Sequence, residues 1–274
     1  MKLVFTFCEG PHDIAFVGRV LRASASFVSY DGTIGELPEP LPNYLKKRAE
    51  QRNIDRLSTL SIKNSKQGDP PTLWDGLVST NGDTLILFFS CFGQDQHKKV
   101  GEFIRGFRTL SEARRESLPG EANKVATAFL YDADDAGVTE KLSVWTKRYA
   151  EHFPELGPCL SGEWASWKDE EVGWHIFSAP GSDKGQLEDI VLPLLNAAAE
   201  SVHAAATTFV TENWPISTAE GKQRKAMITA AGQVHHPGDS MAVILANTEH
   251  LIDATLAADL SCQQIVTFFS GVCK

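Results

Sequence analysis

Acidic residues directly follow two segments that have the composition of buried strands. Glu9 comes after residues 3–8, and Asp132 and Asp134 come after residues 125–131. In an open parallel sheet the carboxyl ends of the strands form the ligand-binding edge, so these acids are expected to meet there. Asp132 and Asp134 are two residues apart, which in an extended chain directs both side chains to the same side.

The chemistry that suits such a group of acids is the binding of a divalent cation. Carboxylates held close together repel each other, and the repulsion raises their pKa values unless a cation lies between them. Their hard oxygen atoms suit Mg²⁺ or Mn²⁺. The alternative is that these acids only cap secondary structure, with Asp134 or Asp135 at the start of the following helix. Because two separate strands end in acids, the sequence favours the metal site.

A repeated alternation of strands and helices supplies the framework that would position these acids. Four apolar, strand-like segments alternate with helical periodicity, at residues 3–8, 84–91, 125–131 and 174–177. The alternation predicts an α/β fold with a mainly parallel sheet of about four strands and crossover helices. Residues 27–30 are expected to form a short strand at most, and residues 153–172 are predicted to be irregular.

The chain is expected to divide into two regions. Residues 1–180 would form the α/β domain, and residues 181–274, which read as mostly helical, would form a C-terminal extension. The apolar faces of these helices require a partner. We expect them to pack on the α/β domain, or against a second subunit in a homodimer.

Two short motifs resemble a known family. The segment Cys8-Glu9-Gly10-Pro11-His12-Asp13 resembles the Glu-Gly element of the TOPRIM (topoisomerase–primase) domain, and residues 131–137, Tyr-Asp-Ala-Asp-Asp-Ala-Gly, resemble its Asp-x-Asp element. The resemblance covers roughly residues 1–180 and rests on the order of the motifs and their positions after strands. It implies that Glu9 acts as general acid or base and that Asp132 and Asp134 hold Mg²⁺.

The same resemblance extends to two further acids and a lysine. Glu9 and Asp13 form a Glu-x-x-x-Asp pattern that is similar to the one in the overcoming-lysogenization-defect nucleases, which makes Asp13 a candidate ligand for a second ion. Residues 180–189 resemble the Gly-x-Leu-Glu segment of small stand-alone TOPRIM-related proteins. By this resemblance Glu188 is a further metal ligand, and Lys184 binds phosphate or offsets charge in the transition state.

Ordinary structural roles are the alternative for these residues. Asp13 lies in the first turn of a predicted helix, where the helix dipole favours an acid. Lys184 and Glu188 also fit a helix start. Further along the chain, His235-His236 precedes a proline and is predicted to form a surface turn. A solvated helix face is the favoured interpretation of a group of basic residues, and a basic patch for nucleic acid is the alternative; they are Lys222, Arg224 and Lys225, with Arg105, Arg108, Arg114 and Arg115.

The net charge of -9 limits how the protein could bind nucleic acid. Broad neutralisation of phosphates requires a basic protein, so contact must come from a local basic patch, a metal ion or a partner protein. The five cysteines are scattered and form no CxxC pair, which argues against a disulfide framework and a zinc site. No apolar run is long enough to span a membrane, and we expect a cytoplasmic protein.

These features lead to two expectations about function. The first is a Mg²⁺- or Mn²⁺-dependent phosphodiesterase, most simply a nuclease that cleaves DNA or RNA in a phage-defence or repair system. The sequence has no Walker-type phosphate loop, so any ATPase would be a separate partner. The second expectation is a non-catalytic module that binds a metal–nucleotide or a partner protein. Hydrolysis at a nucleotide phosphate is a third possibility.

Overall fold

The protein is built on one mixed β-sheet with helices on both faces. The computed structural model describes residues 1–48, 59–62, 69–93, 96–117, 124–157, 159–215 and 220–273. Within these residues the strands are β1 (Lys2–Cys8), β2 (Phe27–Ser29), β3 (Thr72–Ser79), β4 (Thr84–Ser90), β5 (Lys124–Asp132), β6 (Glu163–Trp167) and β7 (Glu170–Phe177). Their order across the sheet is β2-β3-β4-β1-β5-β7-β6.

The four strands predicted from the sequence form the parallel centre of this sheet. β1 pairs in parallel with β4 and with β5, and β5 pairs in parallel with β7. The α/β class is therefore confirmed. The sheet is wider and more mixed than predicted, because antiparallel strands extend both edges: β3 and β2 beyond β4, and β6 beyond β7.

Two of the added antiparallel strands, β6 and β3, lack the sequence pattern of a buried strand, which explains why they were not predicted. β6 lies inside the segment that was predicted to be irregular, and Trp167 is its one buried residue. β3 contains Asp75 and Gly76, and its register with β4 shifts between Leu73 and Asp75. A bulge of this kind interrupts the alternation of apolar and polar residues from which a strand is recognised.

Helices cover both faces of the sheet. They are α1 (Pro11–Ala23), α2 (Leu41–Arg48), α3 (His97–Ser117), α4 (Val138–Tyr149), α5 (Leu187–Ala198), α6 (Glu200–Asn213), α7 (Glu220–Gly232), α8 (Met241–Asn247), α9 (Asp253–Ala258) and α10 (Leu260–Val272). Alternate residues of β1 enter the two cores: Phe5 and Phe7 pack with α3 and α4, and Val4 packs with α1 and α5. Burial on both faces is what makes the central strands continuously apolar.

The C-terminal helices share a hydrophobic core with the sheet. Leu187 of α5, Ile228 of α7 and Phe268 of α10 pack in the same cluster as Ile14 of α1 and Phe88 of β4. Residues of α5, α7, α8, α9 and α10 thus share one hydrophobic core with α1 and the sheet. In the described part of the chain, no helix combines the length and the apolar character needed to cross a membrane.

Candidate metal centre at the carboxyl edge of the sheet

The strand registers bring the first two acids to neighbouring positions. Cys8, the last residue of β1, pairs with Leu130 of β5, and Asp132 ends β5 two residues later. Glu9 follows Cys8 directly, so Glu9 and Asp132 lie at adjacent strand ends on the same edge of the sheet. This is the arrangement from which the sequence predicted a site, and the charge of Glu9 acts on Asp132.

The two carboxylate oxygens of Asp13 have different surroundings: one caps α1, and the other is left for the site. It lies in the first turn of α1, where Gly10 N–H donates to Asp13 Oδ2 over 2.7 Å, so the capping role is real. Asp13 Oδ1 is buried and accepts no hydrogen bond from any residue that the structure describes, although His12 Nε2 lies 3.1 Å away. Burial raises the pKa of Asp13 to about 6, which shows how poorly the charged form is compensated.

Glu188 reaches the same edge from the first turn of α5. Its side chain is fully buried, and neither of its oxygens accepts a hydrogen bond from the described residues. A buried carboxylate that accepts no hydrogen bond is costly, and the charge of Glu188 is offset only in part, by Lys225 Nζ at 3.5 Å from Oε1. Burial raises the pKa of Glu188, and the charge of Asp13 adds to the effect. Glu188 is therefore a group of the site with unused donor oxygens.

Asp132 is held against the start of α5. Leu187 N–H donates to Asp132 Oδ1 over 2.9 Å, so the carboxylate lies at a helix N-terminus. Burial nevertheless holds the pKa of Asp132 well above its ordinary value. The negative charges of Asp13, Glu188 and Glu9, in that order, raise it further. These four acids form one electrostatic cluster, which we call the acidic cluster.

Asp134 is engaged by other partners. Its φ angle of 49° places it in the left-handed region, and its backbone forms a two-way bridge with Gly185. The extended chain that was expected to direct Asp132 and Asp134 to the same side therefore ends before Asp134. Lys141 pairs with Asp134 Oδ2, and Gln186 Nε2 donates to Asp134 Oδ1 over 2.7 Å. Asp134 joins the loop after β7 to the end of β5.

Lys184 lies in the loop between β7 and α5, and its side chain is exposed. Its backbone N–H donates to Ser182 Oγ, and its carbonyl accepts from Ala179 N–H. These bonds shape the loop and leave the ammonium group in solvent, outside the acidic cluster.

The cation that approaches the acidic cluster is Lys225 of α7. Its Nζ lies 3.5 Å from Glu188 Oε1 and 3.4 Å from His12 Nε2. Burial acts to lower the pKa of Lys225, but the carboxylates, first Glu188 and then Asp13, raise it overall. Burial and the nearby Lys225 lower the pKa of His12, so its imidazole is neutral near pH 7.

Sequence reasoning assigned Lys225 to a solvated helix face. The helix is amphipathic only weakly, and the contact of its basic side with Glu188 depends on how α7 packs beside α5. The feature of the sequence that drew attention to Lys225 was the run of basic residues to which it belongs. Nothing in the spacing of Lys225 from the acids indicates that contact.

The donor atoms of the acidic cluster fit a hard divalent cation. The cluster offers carboxylate oxygens, and three of them, one on Asp13 and two on Glu188, accept no hydrogen bond from the part of the chain that the structure describes. Among the described residues, the acids of the cluster are accompanied by Lys225 and the neutral His12, so negative charge exceeds positive charge when the acids are ionised. No three of these acids have ligand atoms within 4.8 Å of one another among the described residues, so binding would require the side chains to converge.

The fold is similar to that of a solved structure, the crystal structure of a hypothetical protein from Pyrococcus horikoshii. The two share 12% sequence identity with a TM-score of 0.55, and the alignment covers 100% of this chain and 96% of that chain. No protein-family model and no curated protein sequence matches the chain. At such low identity the likeness shows the fold alone: this chain has the same overall α/β arrangement as the P. horikoshii protein.

Proposed function

We propose that this protein is a Mg²⁺- or Mn²⁺-dependent phosphodiesterase, and specifically a nuclease that cleaves DNA or RNA. One observation carries the proposal: the fully buried Glu188 has two oxygens that accept no hydrogen bond from the described residues, and it lies in an acidic cluster at the carboxyl edge of the parallel centre of the sheet. The excess negative charge of the cluster calls for a bound cation. The resemblance of residues 8–13 and 131–137 to TOPRIM motifs supports the same reaction class.

The buried acids are suited to hold the cation. Asp13, Asp132 and Glu188 are the ligands that we assign, because their side chains are buried together and their charges act on one another. A bound Mg²⁺ polarises a phosphate and lowers the pKa of a coordinated water. Asp134 is a positioning residue in this proposal, since its two oxygens are already engaged by Lys141 and Gln186.

Glu9 and Lys225 are suited to act on the reacting groups. Glu9 is less buried than the other acids, which leaves it accessible for proton transfer to or from a phosphodiester. Lys225 supplies a positive charge at the mouth of the acidic cluster, where it would offset charge that develops on the phosphate. Lys184, in the exposed loop, is proposed to contact a phosphate further from the reaction.

An aromatic residue beside the acidic cluster favours nucleic acid as the substrate. Phe92 is 52% exposed and has a φ angle of 52°, an unfavourable conformation for a bulky side chain. Gly93 N–H donates to the carbonyl of Glu9, so Phe92 lies beside the strand end that carries Glu9. Its ring packs edge-on against Trp74. Exposed aromatic rings provide sites for stacking unpaired bases.

A partner protein would compensate for the acidic composition. The net charge of -9 disfavours unaided association with nucleic acid, and the sequence has no nucleotide-hydrolysis motif of its own. We therefore propose that a separate ATPase or another basic partner brings the substrate to this site. A phage-defence or repair role rests on the TOPRIM resemblance and on the same reasoning.

The placement of Lys225 favours a second function. Its ammonium group already lies against Glu188, and a lysine can replace a metal ion as the counter-charge of buried acids. The site would then be a metal-free part of a module that binds a nucleotide or a partner protein and cleaves nothing.

A cleavage assay separates the two functions. Wild type and the variants Glu9→Gln and Asp132→Asn are incubated with single-stranded, duplex and structured DNA and RNA, with Mg²⁺, with Mn²⁺ and with EDTA. The nuclease proposal expects metal-dependent cleavage that both variants lose. The matched control is Asp135→Asn, which changes the exposed neighbouring acid and should cleave as wild type does. If Glu9→Gln and Asp132→Asn both cleaved as wild type does, the proposal would be contradicted.

A further inference from the structure

A second group of potential metal ligands lies away from the acidic cluster, at the far end of α7. Among the described residues, His235, Glu249 and His250 each offer a ligand atom, and these atoms all lie within 4.8 Å of one another. His235 Nδ1 is 3.9 Å from Glu249 Oε1, and the rings of His235 and His250 are 4.6 Å apart between centroids. We call this group the histidine cluster.

The two imidazoles were not expected to meet. His235 follows α7, whereas Glu249 and His250 follow α8, and the sequence predicted only a surface turn at His235-His236. The turn after α7 and the turn after α8 are brought together by the packing of α7 against α8. The companions that His235 lacks in the sequence are thus supplied by the fold.

The chemistry of His250 points to a ligand at this place. Its Nε2 atom is shielded from solvent and has no hydrogen-bond partner among the residues that the structure describes. A shielded ring nitrogen without a partner is costly, as for any buried polar atom. His203 of α6 lies on the inner side, 3% exposed, with its ring 6.3 Å from that of His250. Three imidazoles and one carboxylate therefore converge on one small region.

We propose that the histidine cluster binds a zinc ion through His235, Glu249 and His250. Imidazole and carboxylate ligands suit Zn²⁺, whereas Mg²⁺ prefers oxygen donors alone. Atoms about 2.1 Å from one tetrahedral ion lie about 3.4 Å apart, so the three ligands must approach one another by about an ångström. Glu249 is mostly exposed and His235 is at the surface, which leaves both side chains free to make this movement.

An ion at this place would tie two parts of the helical region together. It would join the turn after α7 to the turn after α8, and α7 is the helix that carries Lys225 to the acidic cluster. Three protein ligands leave a coordination position for water or for His203. The proposal does not depend on the nuclease function, because it involves different residues and a different metal.

Zinc titration of the untagged, full-length protein tests the proposal. Calorimetry and thermal unfolding are measured for wild type, Glu249→Gln and His250→Ala, with His236→Ala as the matched control from the same turn. We expect wild type to bind one Zn²⁺ per chain in this cluster and to unfold at a higher temperature with zinc. Removing a ligand should weaken binding by more than about tenfold, since even indirect partners of a metal contribute that much.

The controls distinguish the loss of a zinc ligand from misfolding and from zinc binding at the acidic cluster. Glu249 is exposed, so Glu249→Gln should fold as wild type does even if His250→Ala does not. His236→Ala should bind zinc as wild type does. Repeating the titration in Asp132→Asn weakens any binding at the acidic cluster, and the zinc affinity of the histidine cluster should persist. Absence of zinc binding in wild type, or unchanged binding in both Glu249→Gln and His250→Ala, would overturn the proposal.

Discussion

Lys225 Nζ lies 3.5 Å from Glu188 Oε1, so the ammonium group of one C-terminal helix approaches a fully buried carboxylate of another. The two residues are 37 positions apart and meet where the first turn of α5 reaches the carboxyl edge of the sheet. The lysine offsets part of the negative charge of the acidic cluster. It also competes with any cation that the cluster binds, so a change at Lys225 tests whether the cluster binds a cation.

Replacement of Lys225 by methionine should separate metal binding from catalysis. Lys225→Met keeps most of the side-chain length and removes the charge, so Mn²⁺ should bind more tightly. The cleavage rate should fall by about tenfold to a thousandfold, because a charge that stabilises the transition state is lost. Calorimetry and single-turnover cleavage measure the two effects.

Lys222→Met is the matched control for that experiment, since Lys222 lies on the same helix and is exposed. It should behave as wild type does in both measurements. If Lys225→Met bound Mn²⁺ more weakly than wild type, the competition between the lysine and the metal would be refuted.

Asp132→Asn and Asp134→Asn should have different consequences. Both keep an oxygen for the hydrogen bonds that they accept, but only Asp132 belongs to the acidic cluster. Asp132→Asn should abolish stabilisation by Mn²⁺. Asp134→Asn weakens a partly buried ion pair with Lys141, which should cost about 1–3 kcal/mol of folding free energy and leave Mn²⁺ binding intact.

Thermal unfolding with and without Mn²⁺ gives both quantities. The opposite pattern, with Asp134→Asn losing the response to Mn²⁺ and Asp132→Asn retaining it, would show that Asp134 and not Asp132 is the metal ligand.

The stabilising effect of metal should increase with pH. The pKa of Asp13 is raised from 3.8 to about 6, and the pKa of Asp132 is raised as well. Between the unfolded and folded pKa values the folded protein holds a proton that the unfolded chain has released, so this contribution to stability falls as pH rises. Metal binds the deprotonated acids, so its stabilising effect grows through the same range.

Melting temperatures in EDTA and in MgCl₂, measured from about pH 5 to about pH 8, test this dependence. The difference between the two curves should widen with pH in wild type. Asp13→Asn should show a smaller difference at every pH. A metal effect that shrinks as pH rises would contradict the assignment of the acidic cluster as the ligand set.

Phe92→Ala should weaken the binding of single-stranded substrate. Loss of one stacking contact is worth about 1–3 kcal/mol, which corresponds to a rise in KM of about fivefold to about 160-fold. The fold should be unaffected because the ring is half exposed. Phe209→Ala, at another exposed phenylalanine, is the control and should leave KM unchanged. Equal KM values for Phe92→Ala and wild type would remove Phe92 from the substrate path.

The positions of the acids that follow strands could be predicted from the sequence. Glu9 and Asp132 were predictable because an apolar strand followed by an acid defines a position at the sheet edge, and parallel strands place such positions together. Asp13 and Glu188 were candidates only through the resemblance of their segments to TOPRIM-related motifs, and they lie in the first turns of α1 and α5. The expectation that Asp134 points to the same side as Asp132 was wrong, because the backbone of Asp134 is left-handed and is held by the bridge to Gly185.

Contacts that depend on helix packing were outside the reach of the sequence. Lys225 and His235 lie on or after α7, whereas their partners Glu188 and His250 lie in α5 and in the turn after α8. No periodicity fixes the distance between such residues, since it depends on how two helices dock. The edge strand β6 escaped prediction for a related reason: most of its residues are not buried, so it carries little apolar pattern.

The central claim is that the acidic cluster binds a hard divalent cation, and titration of Mn²⁺ by calorimetry tests it most directly. The titration is best made at about pH 8 in the Glu249→Gln variant, so that the histidine cluster does not contribute. We predict saturable Mn²⁺ binding that Glu188→Gln weakens by more than about tenfold and that Asp134→Asn leaves unchanged. Absence of saturable binding, or identical binding in Glu188→Gln, would contradict the account.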